Sequence, residues 1–232
     1  AIFKAALFMG AGALIHSTGT KYLNEMGGLR KHMKITFIAM TIAAGALAGV
    51  PFLSGFWSKD AILAATLSAT EYSAMTPIFI IAVITALITA FYSFRMIGLA
   101  FFGKPSKYLI EREQKGLHLH EAPKVMLLPY SILAAATVVI GIVGYYFEES
   151  LHHILGHTLE HDFTSIHIVE TTGGINISAL SASLIAVSIG GFLAYYFYIA
   201  RRSNPWNIVE KYSLVGGIHK FLENRWYINA LY

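Results

Sequence analysis

The sequence contains no cysteine and few charged residues, and both shortages restrict what the protein can be. Without cysteine the chain cannot form disulfides, bind a cysteine-ligated zinc ion or iron–sulfur cluster, or attach a c-type haem. Charged residues make up 13% of the 232 residues, whereas hydrophobic residues reach 56%. With a mean hydropathy of +0.58, too few polar side chains remain to cover a core of this size. The composition therefore excludes a water-soluble globule and indicates a membrane protein.

Long apolar stretches predict the membrane spans. Three of the five stretches match the ~20 residues that one crossing helix needs, so we expect an all-α, polytopic fold with five spans in a single membrane domain. Neither end of the chain carries a signal peptide or a clear helix stop signal, so a fragment of a longer membrane chain is expected. The stretches cover residues 1–16, 35–70, 77–101, 125–147 and 176–199, followed by a tail over 200–232.

The loops between these stretches alternate in charge. Basic loops tend to stay in the cytoplasm, so the alternation predicts a multi-pass protein whose acidic loops lie outside. The same pattern explains the net charge of +4 by topology, without nucleic acid as a partner. Counting lysine and arginine against aspartate and glutamate, the net charges are +3 (17–34), −1 (71–76), +2 (102–124), −5 (148–175) and +3 (200–232).

The second stretch, residues 35–70, is too long for one straight crossing. At ~1.5 Å per residue its 36 residues would form a helix of about 54 Å, against a hydrocarbon core of ~30 Å. Its middle contains Gly49, Pro51 and Gly55, which favour a break between two half-helices. Unwound backbone at membrane depth must be buried or line a wet cavity, and broken helices are typical of transporters. A proline-kinked helix with an interfacial extension is the alternative.

Two lysines are candidates for proton transfer, and Lys4 is the first. It precedes His16 by 12 residues, or roughly 18 Å of helix, which places it near the bilayer middle. A lysine at that depth is costly and indicates a function, although snorkelling to the interface is the alternative. His16 could continue a proton path from Lys4 to the cytoplasm, or it could cap the helix.

Lys59 follows the expected break and is the second candidate. In the first turn of the second half-helix, desolvation and the positive end of the helix dipole would both disfavour its charged form. Such a lysine can gain and lose protons, whereas an interfacial lysine is the alternative reading. Neighbouring helix positions point about 100° apart, so Asp60 is expected to favour the half-helix N-terminus rather than to pair with Lys59.

Other polar residues of the spans and loops favour structural roles. Arg95 lies near the cytoplasmic end of its span, and arginine can hold an anion but cannot relay protons by titrating. Three histidines of the outer acidic loop recur at a spacing that could bind a metal on a helix, yet a solvated loop is favoured, and no metal is expected. They are His153, His157 and His161.

Several motifs resemble the antiporter-like L subunits of respiratory complex I and of the archaeal F(420)H(2) dehydrogenase. The resemblance is strong over residues 1–105 and weak over 106–175. The motifs are FKAALF (3–8), MGGLRK (26–31), AGVPFLSGFWSKD (48–60), YSFRM (92–96) and NRWYINALY (224–232).

The resemblance implies a fragment of an antiporter-like fold with two inverted repeats, each containing a broken helix. This chain would cover the second half of the second repeat and the helices after it. Lys4 would be the lysine of the central hydrophilic axis, and Lys59 the lysine of the second broken helix beside the outer exit. The first repeat and a lateral helix beyond the cytoplasmic tail would be missing.

The resemblance also implies a function. The chain would relay protons through buried lysines and water in a prokaryotic cytoplasmic membrane, as a non-redox subunit of a quinone oxidoreductase. Flavin, iron–sulfur clusters and quinone would belong to partner subunits, and other membrane-arm subunits would be neighbours. An Mrp-type Na⁺/H⁺ antiporter, a membrane-bound hydrogenase subunit and a purely structural membrane-arm subunit remain alternatives. The electron donor stays open among NADH, F(420)H(2) and ferredoxin.

Overall fold

The computed structural model describes residues 1–68, 75–116, 118–162, 177–202 and 205–228, and every regular element in these ranges is helical. This confirms the predicted all-α fold. The α-helices of this part of the chain are α1 (Ile2–Thr18), α2 (Lys34–Ala48), α3 (Ser54–Ser68), α4 (Met75–Phe101), α5 (Lys107–Gln114), α6 (Lys124–Asp162), α7 (Ile177–Ala194), α8 (Pro205–Lys211) and α9 (Ser213–Glu223).

Three segments are long and apolar enough to cross a membrane, and they coincide with three predicted spans. They are Thr76–Phe101, Lys124–Gly144 and Ile177–Ile199. The last segment continues α7 through a π-helical turn, Tyr195–Ile199. The shorter apolar helices α1 and α2 overlap the other two predicted spans, with α1 ending two residues beyond its span and α2 beginning one residue before its span. The fold is therefore that of a polytopic membrane protein.

Helices α1, α2 and α6 pack together through small side chains. Ala6 and Ala13 of α1, Ala43 and Ala44 of α2, and Ala134 of α6 belong to one buried cluster. Small residues let helix backbones approach closely, which is how helices associate in lipid, where hydrophobic burial provides little drive. This cluster fixes α2 between its neighbours.

The predicted break in the second stretch is confirmed. Helix α2 ends at Ala48 and α3 begins at Ser54, so five residues between them are not helical. Gly49 adopts a left-handed conformation with φ of 89°, which glycine reaches without steric cost. The backbone amide of Gly49 then donates to the carbonyls of Gly45 and Ala46, and the amide of Val50 donates to the Gly45 carbonyl.

The break is packed against α6 and against the end of α2. A Cβ atom on Gly55 would overlap the carbonyl oxygen of Ala46, and one on Gly141 of α6 would overlap the carbonyl of Phe52. The indole Nε1 of Trp57 donates to the Gly141 carbonyl at 2.6 Å. The unwound backbone is thus supported by protein, as membrane depth requires.

Replacing Gly55 with alanine should destabilise the fold at the break. The added methyl group cannot be accommodated without moving backbone, and overpacking of this kind costs about 1–3 kcal/mol. Thermal unfolding in detergent, followed by circular dichroism, measures the change. Gly217→Ala in α9 is the matched control, because nothing lies within 4 Å of its Cβ position. Equal melting temperatures for the two variants would contradict the packing described for Gly55.

Helix α6 is longer than its predicted span. Its 39 residues extend about 58 Å, and the helix continues to Asp162 beyond the apolar segment that ends at Gly144. Residues 148–162, expected as the start of an outer loop, are therefore helical. Glutamate and leucine are good helix formers, so the acidic composition of this stretch does not stop the helix. The side chains of His153, His157 and His161 lie outside the described part of the structure.

Candidate functional site

The Lys59 ammonium lies across the helix break from the C-terminal end of α2. Its Nζ donates to the carbonyl oxygens of Leu47 at 2.8 Å and Ala48 at 3.0 Å. A helix leaves its last four carbonyls without partners in the helix itself. In α2, backbone amides of the break satisfy Gly45 and Ala46, and Lys59 satisfies the remaining two.

This geometry corrects the predicted environment of Lys59. Because α3 begins at Ser54, Lys59 lies in its second turn, not in its first. The flexible lysine stem carries the ammonium back to the C-terminal end of α2, which is the negative end of that helix dipole. The expected first-turn position of Lys59 is therefore wrong, and its ammonium lies at an end of α2 whose dipole favours the positive charge.

Of the residues predicted to mark the break, Gly49 lies against the Lys59 stem. A Cβ atom on Gly49 would lie 3.0 Å from Lys59 Cδ, so the glycine leaves room for the lysine chain. Pro51 is a partly buried residue of the break, and Asp60 is a partly buried residue of α3 next to Lys59 in sequence. The structure thus brings Gly49 and Lys59 together directly.

Lys4 and His16 both lie on α1, which is continuous between them. Twelve residues separate the two side chains by roughly 18 Å along the helix axis and by about 120° around it. Both side chains are exposed in the described structure, and the His16 ring faces the His120 ring edge-on at 6.3 Å. A path from Lys4 to His16 along a single face of α1 is therefore not formed by helix geometry alone.

Arg95 contacts the last span rather than the break. Its guanidinium carbon lies 5.4 Å from the centre of the Tyr198 ring, a cation–π arrangement between α4 and the π-helical turn. This contact fits the structural role favoured by the sequence.

A residue that sequence reasoning missed, Glu121, lies at the opposite end of α2. Its carboxylate accepts hydrogen bonds from the backbone amides of Ile35 at 2.8 Å and Thr36 at 3.4 Å, and from the Thr36 hydroxyl. Met33, at the N-cap position of α2, provides no side-chain hydrogen bond. The sequence offered one signal for such a residue, a helix start that lacks a capping side chain. The residue that caps it, Glu121, lies 85 residues from Thr36 in sequence.

The surroundings of Glu121 are tied to α1 and α6. The buried Tyr130 hydroxyl of α6 donates to the Thr36 carbonyl at 3.1 Å. The Ser17 hydroxyl of α1 donates to the His120 carbonyl at 2.9 Å. Glu121 is therefore anchored on the helices that pack around α2.

Helix α2 consequently has a carboxylate at its N-terminal end and an ammonium at its C-terminal end. This arrangement matches the helix dipole at both ends. A neutral Lys59 amine would keep two N–H donors for the carbonyls but would lose the charge that strengthens those hydrogen bonds. Loss of the Lys59 proton would therefore weaken the hydrogen bonds that hold α3 to the C-terminal end of α2.

Comparison with known proteins adds a family relationship. Residues 1–89 match the family described as NADH:quinone oxidoreductase/Mrp antiporter, TM. The whole chain aligns with NADH-ubiquinone oxidoreductase chain 5 of Cryptococcus neoformans var. grubii at 34% identity, covering 34% of that protein. It also aligns in full with F(420)H(2) dehydrogenase subunit L of Methanosarcina mazei at 32% identity, covering 35%, and with NADH-quinone oxidoreductase subunit L of Campylobacter jejuni at 34% identity, covering 34%. The chain spans about a third of the length of these curated relatives.

Proposed function

Because the chain belongs to the NADH:quinone oxidoreductase/Mrp antiporter membrane family, we propose that it is a proton-translocating, membrane-arm subunit of a complex I-type quinone oxidoreductase. It is a multi-pass protein of the inner membrane. In this proposal, protons pass through the chain by way of lysines and water, and Lys4 and Lys59 are the groups that take up and release them.

The observation that carries the proposal is the contact of the Lys59 ammonium with the carbonyls of Leu47 and Ala48 across the break. A titratable group beside unwound backbone is the arrangement that transporters use at ion sites. Protonation changes the strength of these hydrogen bonds, so proton occupancy is linked to how α2 and α3 are joined. A static ion pair would need no such break.

The redox chemistry belongs to partner subunits in this proposal. The cysteine-free chain cannot hold a cysteine-ligated iron–sulfur cluster, so it contributes no cluster ligands of that kind to electron transfer. Flavin, clusters and quinone would then reside elsewhere in the assembly, together with further membrane-arm subunits. This division assigns energy release to the partners and proton movement to the present chain.

A second candidate is an Mrp-type Na⁺/H⁺ antiporter subunit, which the family description covers as well. Both candidates fall under one family description, matched over residues 1–89, which include Lys4 and Lys59. They differ in what drives transport and in which ion is exchanged. The description of the matched family is the specific observation in favour of this alternative.

The two candidate functions can be distinguished in vesicles that contain the complete complex. Under the proposed function, adding electron donor and quinone should change the pH of the vesicle lumen. A protonophore should abolish this pH change, and removal of Na⁺ should leave it intact. Vesicles with an imposed Na⁺ gradient but no electron donor serve as the control. Proton movement that requires Na⁺ and proceeds without electron transfer would replace the proposed function with antiport.

A further inference from the structure

Both ends of α2 are held by side chains from outside the helix. At the N-terminal end, Glu121 accepts the amides of Ile35 and Thr36, and at the C-terminal end Lys59 donates to the carbonyls of Leu47 and Ala48. The helix between them has 15 residues and is roughly 22 Å long. A single rigid element therefore connects the Glu121 carboxylate with the Lys59 ammonium.

The N-terminal anchor is specific to Glu121. Met33 offers no side-chain acceptor at the N-cap position, so the first free amides of α2 depend on the carboxylate for partners. Glu121 also accepts from the Thr36 hydroxyl and from the Ala122 amide at 3.3 Å, which fixes the carboxylate in one orientation. Its position is thereby set against α2 rather than against solvent.

The position of the opposite end follows from this anchor. Helical hydrogen bonding is continuous from residue 34 to residue 48. A displacement of the N-terminal end of α2 therefore moves the last carbonyls of the helix as well. Those carbonyls are the acceptors of Lys59, whose own helix is also held to α6 by the hydrogen bond from Trp57 to the Gly141 carbonyl. Loss of the anchor would therefore change the distance between the carbonyls and Lys59, not only the order of the first turn.

We propose that Glu121 is a positioning residue for Lys59: by fixing the N-terminal end of α2, it presents the Leu47 and Ala48 carbonyls to the lysine ammonium. The consequence for transport rests on the proposed function, in which Lys59 exchanges a proton. Glu121 then tunes proton exchange at the break from the far end of the helix without itself carrying the proton.

The first test measures backbone amide exchange in the assembled complex. Glu121→Gln should speed exchange at Ile35 and Thr36, and it should also speed exchange at residues 46–50 by about fivefold, the size expected for the loss of one helix cap. Glu113→Gln is the matched control, because Glu113 is an exposed carboxylate of α5. A change confined to the first turn of α2 would overturn the proposal and leave Glu121 as a local cap.

The second test measures proton translocation per electron in a double-substitution cycle. Glu121→Gln alone should lower translocation severalfold, and adding it to Lys59→Arg should lower translocation no further, because both act at one step. Independent, additive losses would overturn the positioning role. If Lys59→Arg itself translocates like the unsubstituted chain, the proposed function fails, and the exchange experiment still decides whether Glu121 positions α2.

A smaller change at the same contact tests the proposal if Glu121→Gln prevents assembly of the complex. Thr36→Val removes the hydroxyl that donates to Glu121 while the carboxylate and the amide contacts remain. It should produce a smaller acceleration of exchange at residues 46–50 in the same direction. Unchanged exchange there would count against the proposal.

Discussion

Lys59→Arg should preserve assembly and strongly impair proton translocation. Arginine has donors enough for the Leu47 and Ala48 carbonyls, so the link between α2 and α3 can persist. It stays protonated under ordinary conditions, so the step that requires a neutral side chain is lost. We expect translocation through this chain to fall by about a hundredfold or more, because a positioned proton-transfer group contributes about 10²- to 10⁴-fold. Acidification rates in vesicles at matched electron transfer provide the measurement.

Lys107→Arg is the matched control for that substitution. Lys107 is an exposed residue at the start of α5, so the same chemical change there should leave translocation unaltered. Lys59→Met, which removes the donors as well as the charge, should in addition weaken assembly because the two carbonyls lose their partner. If Lys59→Arg translocates normally while Lys59→Met fails to assemble, Lys59 is a structural cap.

Lys4→Ala should abolish or strongly reduce translocation while electron transfer continues. In the proposed relay, Lys4 is the group of the central axis that receives the proton, and alanine cannot replace it. In the same proposal the redox chemistry lies in partner subunits and does not involve this side chain, so quinone reduction should remain largely intact. Simultaneous recording of quinone reduction and vesicle acidification distinguishes the two activities.

The control for Lys4 is an alanine substitution of an exposed lysine. Lys107→Ala removes the same charge from α5 and should leave both activities unchanged. A parallel loss of electron transfer and acidification in Lys4→Ala would indicate failed assembly. Unaltered acidification would remove Lys4 from the relay.

The break between α2 and α3 was predictable because length alone ruled out one crossing helix, and the Gly49, Pro51 and Gly55 positions marked where it would fall. The reason for Gly55 was not predictable, since it depends on the close approach of α3 to the Ala46 carbonyl. The sequence shows where glycine permits a break in the helix, whereas the contact that requires glycine at position 55 follows from how the helices pack.

The environment of Lys59 was predicted only in part. Sequence spacing placed it near a helix start, but the direction of a long side chain depends on the acceptors within its reach. Here the nearest unsatisfied acceptors belong to the preceding helix, at Leu47 and Ala48. The partnership of Glu121 with Ile35 and Thr36 was not predictable for a related reason, because it joins segments more than 80 residues apart.

The number of protons translocated per electron pair, compared between the unsubstituted complex and Lys59→Arg, tests the central claim most directly. Both complexes are reconstituted in the same vesicles, with Lys107→Arg alongside, and the total proton movement is counted for a fixed amount of quinone reduced. The relay through this chain predicts a lower proton count for Lys59→Arg and unchanged counts for the other two. An equal count in all three would contradict proton transfer through Lys59.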